Sequence, residues 1–202
     1  MELTAQAPHR GRPREFDVDV ALAAALRVFW TLGYEGASMS DLTEAMGITR
    51  PSLYAAFGNK EELFKKALDL YERDKLAYMT EALEAPTARA VAEHLLQGAI
   101  DMQTGSDPKG CLGVISSTAC GTEAESIRQE VLKRRASSDA ALLARFERAR
   151  AEGDFPPHVT PEGMKQYLSA VVQGLCIQAG NGASLAELQG LKDTTLAVWP
   201  GR

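Results

Sequence analysis

The stretch Gly47–Phe64, GITRPSLYAAFGNKEELF, decides how this chain is read. Gly47 and Gly58 bracket a segment just long enough for two helical turns, and Pro51 sits where a first turn would lack a hydrogen-bond partner anyway. Leu53, Ala56 and Phe57 share one side of that helix, at the spacing of an apolar face. Thr49, Arg50, Ser52 and Tyr54 occupy the rest. A helix serving only to link two core helices would need no cap, proline and polar first turn together.

Working outward, apolar residues recur every three to four positions along almost the whole chain, and strand-like alternation is missing. This predicts an all-α protein of about nine helices. Asp17 caps a first helix with Leu22, Ala25, Leu26 and Phe29 on one face, ended by Gly33. Ser40 is expected to cap a second, Asp41 to Met46. Asn59 and Glu62 form a capping-box pattern for a long fourth helix, through Leu63, Phe64, Ala67, Leu68, Tyr71 and Leu76, running to Pro86. Further helices are predicted over about 87–104, from Cys111 to Cys120, from a Thr122/Glu125 box to Glu152, from Thr160 and Pro161 onward, and from Ser184 and Glu187 to near the C-terminus.

Composition narrows the function. With 202 residues and 45% hydrophobic content, the chain can build a real core. Its formal charge is -5, and residues 1–60 hold six Lys/Arg against seven Asp/Glu, so any contact with nucleic acid depends on cations placed locally. Three of those six are Arg10, Arg12 and Arg14, in the short cationic arm HRGRPRE. No apolar run approaches the roughly 18 residues of a membrane span, and no signal peptide pattern is present, so a cytoplasmic location is expected. Cys111, Cys120 and Cys176 are odd in number without CxxC spacing, which predicts reduced thiols rather than disulfides or zinc. His94 and His158 lack partners at metal-binding spacing, and no cofactor is expected. HExxH, GxSxG and Gly-rich phosphate loops are absent, which argues against an enzyme.

Two helices of about seven residues joined by Gly47, Ile48 and Thr49 have the layout of a helix-turn-helix. Such a second helix enters the major groove of DNA by its N-terminal end. Arg50 there can pair with guanine or a phosphate, Thr49 and Ser52 can bond either, and the hydroxyl of Tyr54 can reach the backbone. Leu53, Ala56 and Phe57 are expected to pack on Leu22, Leu26, Phe29, Leu42 and Met46.

At these residues the chain resembles the TetR/AcrR-type transcriptional regulators. The resemblance is carried by GRPREF and by ALRVFWTLGYEGASMSDLTEAMGITRPSLYAAFGNKEELF, densely over residues 10–64. It implies DNA contacts at Arg50, Ser52, Tyr54 and Lys60, with Ser40 at a phosphate, Thr49 near the bases, and Arg10 to Arg14 reaching an adjacent minor groove. It also implies an organisation into a basic arm (1–15), a helix-turn-helix domain (16–64), and a helical bundle for ligand binding and dimerisation (65–202). A recognition helix of about 10 Å touches too few base pairs to be both tight and specific alone. A homodimer on a palindromic operator of double-stranded DNA is therefore expected, its two reading helices about 34 Å apart or a multiple of that.

Within the bundle, Tyr167, Leu168, Val171 and Val172, with Leu175, give one helix a broad apolar face, and Leu188, Leu191 and Leu196 give the last helix another. Both are candidates for the dimer interface. Leu95, Met102, Leu112, Ile115, Phe146 and Leu175 are candidates for lining an effector pocket; plain core is the alternative for every residue of both sets. Cys111, in PKGCL, stands at a helix start, where the dipole and Lys109 would lower a thiol pKa. Here the chain is similar to a branch of the family that includes thiol-based sensors of electrophiles and oxidants. The expected regulator is thus a repressor released by a small molecule or by thiol modification.

Overall fold

The computed structural model describes residues 16–118, 121 and 124–201, and among them every regular element is a helix. The arm carrying Arg10, Arg12 and Arg14 lies outside these residues, as do Cys120 and Thr122. Ten helices follow one another: α1 Val18–Gly36, α2 Met39–Met46, α3 Arg50–Phe57, α4 Lys60–Lys75, α5 Ala77–Ala82, α6 Ala88–Asp101, α7 Leu112–Thr118, α8 Glu125–Ala151, α9 Pro161–Gly180 and α10 Leu185–Ala197.

The tenth arises because the expected long fourth helix breaks. Leu76 leaves helical geometry at φ -106°, ψ 8°, and α5 starts one residue later. Two other boundaries also move. Ser38, rather than Ser40, caps α2: its hydroxyl accepts the Asp41 amide while the Asp41 carboxylate accepts the Ser38 amide, a reciprocal box. That bond holds the Asp41 carboxyl below its ordinary pKa. Gly33 does kink the first helix, at φ 72°, but helical backbone resumes to Gly36. Asn59 accepts the Glu62 amide at 2.8 Å, and the Thr160 and Ser184 caps form as expected.

Two apolar cores result. The first gathers Ala25, Phe29, Leu42, Leu53, Phe57 and Phe64 around α1–α4, and Leu112, Ile127 and Val131 from α7 and α8 close it from below. Its aromatic centre is tight: Phe29 and Tyr34 both meet the Phe64 ring, the former edge-on at 5.0 Å and 86°, the latter at 5.2 Å. The second core joins α5, α6, α8, α9 and α10 through Val91, Leu95, Ile100, Phe146, Leu168 and Leu175. Arg145 is buried among them, its guanidinium donating to the carbonyls of Leu83 and Ala85 at 3.0 and 2.7 Å and so tying α8 to the turn after α5.

The α2–α3 turn depends on Gly47, at φ 65° and ψ 29°, in the left-handed region that costs other residues roughly 1–2 kcal/mol. A β-carbon there would meet nothing within 4 Å. Gly47→Ala is therefore a pure backbone test: urea unfolding is expected to show a loss of about 1 kcal/mol without change in the slope of the transition.

Candidate functional site

The reading edge is built from caps. Thr49 precedes α3 in extended backbone and accepts the Ser52 amide at 3.3 Å, while the two hydroxyls lie 3.0 Å apart. Pro51 falls in the first turn, where no amide is missed. Leu53 and Phe57 are buried and Ala56 packs against the same core, so the inward face is the one the sequence predicts. Thr49, Arg50 and Tyr54 are exposed and Ser52 half-buried. No acidic residue stands in the first turn of α3, which leaves its helix dipole open to an anion.

Ser40 lies in the first turn of α2, and its hydroxyl accepts from the Arg50 guanidinium at 3.0 Å. The residue expected at a phosphate thus also orients Arg50, expected at a guanine or a phosphate. Lys60, at the start of α4, lies over the Tyr34 ring with its ammonium 4.5 Å from the centroid. Partial burial pulls its pKa down, against Glu35 and Asp41, which hold it up. Among the nine expected DNA contacts, Ser40, Thr49, Arg50, Ser52, Tyr54 and Lys60 fall within the described residues.

Behind this head a cavity of about 360 Å³ lies on the seam between the two cores. Leu68, Tyr71 and Val131 reach it from the first core; Leu95, Leu142 and Leu168 reach it from the second. Of the expected lining, Leu95, Met102 and Cys111 border the cavity. Leu112, Phe146 and Leu175 are instead fully buried in the cores, and Ile115 packs on the first core. The walls that sequence reasoning missed include Tyr78, Met79, Val172 and Cys176. One signal for Tyr78 was available: Gly98 lies inside α6, and a β-carbon there would fall 2.1 Å from the Tyr78 ring. The glycine is the slot that admits the aromatic wall.

Cys111 immediately precedes α7, and the Ile115 amide donates to its carbonyl at 3.0 Å. Its sulfur accepts a hydrogen bond from the Tyr71 hydroxyl at 3.4 Å; the Cys176 thiol beside it, that hydroxyl and the amides of Val114 and Gly113 together hold its pKa well below the ordinary thiol range despite burial. Lys109 is not the cause: its ammonium donates to the carbonyls of Gln103 and Gly105 at the end of α6.

The cavity is wired to the head. Tyr71 meets Trp30 of α1 edge-on at 4.8 Å, and the Trp30 indole donates to the Gly110 carbonyl at 3.3 Å. Asp107, in the same loop, pairs with Arg27 of α1 at 2.7 Å and Lys75 of α4 at 2.6 Å. Arg134 of α8 holds α4 through Asp69 and Glu72 at 2.7 and 3.0 Å, with Glu130 also 2.7 Å away, and these carboxylates raise its pKa against burial.

The expected interface residues divide. Leu168, Leu175, Leu188 and Leu196 are spent on the chain's own core, and Val171, Val172 and Leu191 pack against it. Tyr167 alone of that set is exposed, and Ile177 joins it on the outside of α9.

A helix-turn-helix with a polar, partly cationic reading edge, braced by a helical body, is the architecture of a DNA-binding regulator. Residues 21–67 match the family model for bacterial regulatory proteins of the tetR family. The chain is 36% identical over 195 residues to the HTH-type transcriptional repressor ComR of Escherichia coli K12, spanning 95% of this chain and 92% of that protein. It is 27% identical over 180 residues to the repressor BdcR of the same organism, spanning 88% and 86%. Among solved structures, a cysteine mutant of the TetR family regulator CifR, complexed with a 26 bp double-strand operator DNA, superposes with a TM-score of 0.87 at 38% identity, covering 94% of this chain and all of that one. The chain belongs to the tetR family of bacterial regulatory proteins: it is a DNA-binding transcriptional regulator and not an enzyme. Among the described residues no helix is long and apolar enough to cross a membrane.

The Tyr78 slot gives a direct test of the cavity wall. Gly98→Ala is expected to displace the ring and cost about 1–3 kcal/mol by overpacking, read as a fall in denaturation midpoint; Gly98→Ala with Tyr78→Leu should recover most of it.

Proposed function

We propose that the protein is a repressor that binds a palindromic operator as a homodimer and lets go when its cavity is occupied or Cys111 is modified. In this reading, residues 16–64 read DNA, the arm 1–15 brings Arg10, Arg12 and Arg14 to an adjacent minor groove, and 65–202 sense and dimerise. The observation that carries it is the division of α3: apolar residues turned into the core, and a cap, a cation and two hydroxyl-bearing side chains left outward on one edge. Ser40 and Tyr54 would take phosphates, Lys60 would add a cation at the rim, and Thr49, Arg50 and Ser52 would meet base edges or backbone.

Repression is supported by the named repressors among the relatives, and operator binding by the DNA complexes of CifR. For dimerisation the supporting feature is α9, whose outward stripe Tyr167, Ala170, Gly174 and Ile177 repeats at helix-packing spacing. Nothing lies within 4 Å of a β-carbon placed on Gly174, so a second helix could approach closely. For the effector, the mostly apolar walls with two tyrosines and two thiols suit a small apolar or aromatic electrophile.

Gel-shift titrations against the DNA upstream of the protein's own gene test the reading. Wild-type affinity should fall steeply with salt; Lys60→Ala and Tyr54→Ala should weaken binding alike across operator variants, and Lys60→Ala should reduce the salt slope by about 1. Unchanged binding in both would refute the phosphate assignments.

The thiol has its own test. A depressed pKa keeps the sulfur deprotonated as pH falls below the ordinary value of about 8.5, so alkylation of Cys111 by iodoacetamide should persist at neutral pH, where a free thiol slows. Operator release should accompany it in wild type and vanish in Cys111→Ser.

A further inference from the structure

Cys176 has no place in the reading edge, yet it is buried behind it on the side of Cys111. It comes from near the C-terminal end of α9, whereas Cys111 precedes α7, and both thiols border the same cavity. The two backbones are already pressed together. Gly110, at φ 85°, runs so close to α9 that a β-carbon on it would sit 3.3 Å from the Cys176 carbonyl oxygen and 3.6 Å from the Gly180 α-carbon. Across this contact the Cys176 side chain is the largest influence lowering the Cys111 thiol pKa. Two sulfurs brought together by packing alone, inside a cavity that reaches solvent, make a dithiol rather than two separate cysteines.

We propose that Cys111 and Cys176 form a redox pair that closes to a disulfide within one chain when the cavity admits a hydroperoxide, Cys111 attacking and Cys176 resolving. This rests on the reading of Cys111 as the sensing group and adds what happens after it reacts. In the first step the Cys111 thiolate attacks a peroxide oxygen; a sulfur–oxygen bond forms, the oxygen–oxygen bond breaks, and the departing alkoxide or hydroxide takes up a proton and leaves as alcohol or water. In the second, the Cys176 sulfur attacks the sulfenic sulfur. The sulfur–sulfur bond forms, the sulfur–oxygen bond breaks, and the hydroxyl leaves as water with the Cys176 proton. Two thiols are oxidised by two electrons and one hydroperoxide is reduced.

The asymmetry of the pair fits these roles. Cys176 and the Tyr71 hydroxyl pull the Cys111 thiol down, while Cys111 and burial push the Cys176 thiol up, so one sulfur is the nucleophile and the other keeps its proton until the hydroxyl departs. Closure would also draw the Cys111 sulfur from the Tyr71 hydroxyl, the group that rests on Trp30 of the reading head.

The test uses the full chain with Cys120→Ser, which leaves only the two thiols in question. After stoichiometric hydrogen peroxide, mass spectrometry of the unreduced, protease-digested protein should find the Cys111 and Cys176 peptides linked within a monomer-mass chain, with both free thiols lost together. This arm alters neither sulfur, so it does not depend on a variant folding. Cys176→Ser should halt at a Cys111 sulfenic acid that dimedone traps, and Cys111→Ser should leave Cys176 unreacted. A dimedone-trapped Cys111 that persists beside an intact Cys176 thiol, or a link between chains, overturns the pair. Operator binding measured in parallel separates the two claims: a linked chain that still binds DNA supports the pair and sinks the sensor reading, whereas release by alkylation without any peroxide-induced link sinks the pair alone.

Discussion

Trp30 is the side chain on which the connection between head and body depends. It is buried in α1, its ring meets the Tyr71 ring edge-on, and its indole donates to the carbonyl one residue before Cys111. A large aromatic group with one polar atom is suited to this: its apolar surface welds it to the first core while its single donor fixes its direction. Because Tyr71 in turn donates to the Cys111 sulfur, the reading head and this thiol share two consecutive contacts with no flexible linker between them. Packed interiors pass on displacement because they hold few alternative arrangements.

That connection gives the cavity its significance. A ligand held wholly inside one core would stabilise that core and leave the other where it was. The cavity here takes Leu68 and Tyr71 from one core and Leu95 and Leu168 from the other, so its occupant bears on both. The opposing restraints are polar: Arg134 on the Asp69–Glu72 side of α4, and Asp107 holding Arg27 and Lys75. Partly exposed pairs of this sort are individually worth about 0.2–1 kcal/mol, so they define a preferred seating of α4 without locking it. A switch needs that balance, since moving a population from almost all bound to almost all released takes roughly 10⁴-fold preference for the second state.

The head was legible in the sequence because its signals are local. Gly47, Pro51, Gly58 and the Thr49 cap each act within a few residues, and the apolar spacing of Leu53, Ala56 and Phe57 had one helix to describe. Where a neighbouring residue of the same chemistry could do the job, the boundary slipped: Ser38 and Ser40 both precede the Asp41 turn, and the choice between them rests on which hydroxyl reaches the Asp41 amide. The break at Leu76 carries no glycine or proline at all; beyond it Tyr78 of α5 fills the slot at Gly98 of α6, a contact between different helices. The body was opaque for the same reason. Leu112, Phe146 and Leu175 have the composition of pocket walls and of core alike, and only the three-dimensional seam separates them from Leu95, Met102 and Cys111.

Charge gives the last constraint. A chain of net charge -5 is repelled by DNA at long range, so its hold on an operator rests on a few contacts inside the screening distance of about 8 Å at physiological salt. Arg50 is steadied on Ser40 and Lys60 on the Tyr34 ring, which keeps two of these few cations placed rather than mobile. α3 is only about 12 Å long, so it reaches few base pairs. A protein with a broadly basic face could tolerate a tilted head by sliding onto other phosphates; this one has no such reserve in its net charge. In the proposed switch the net negative charge would thus add to the cost of any misplacement of the reading edge.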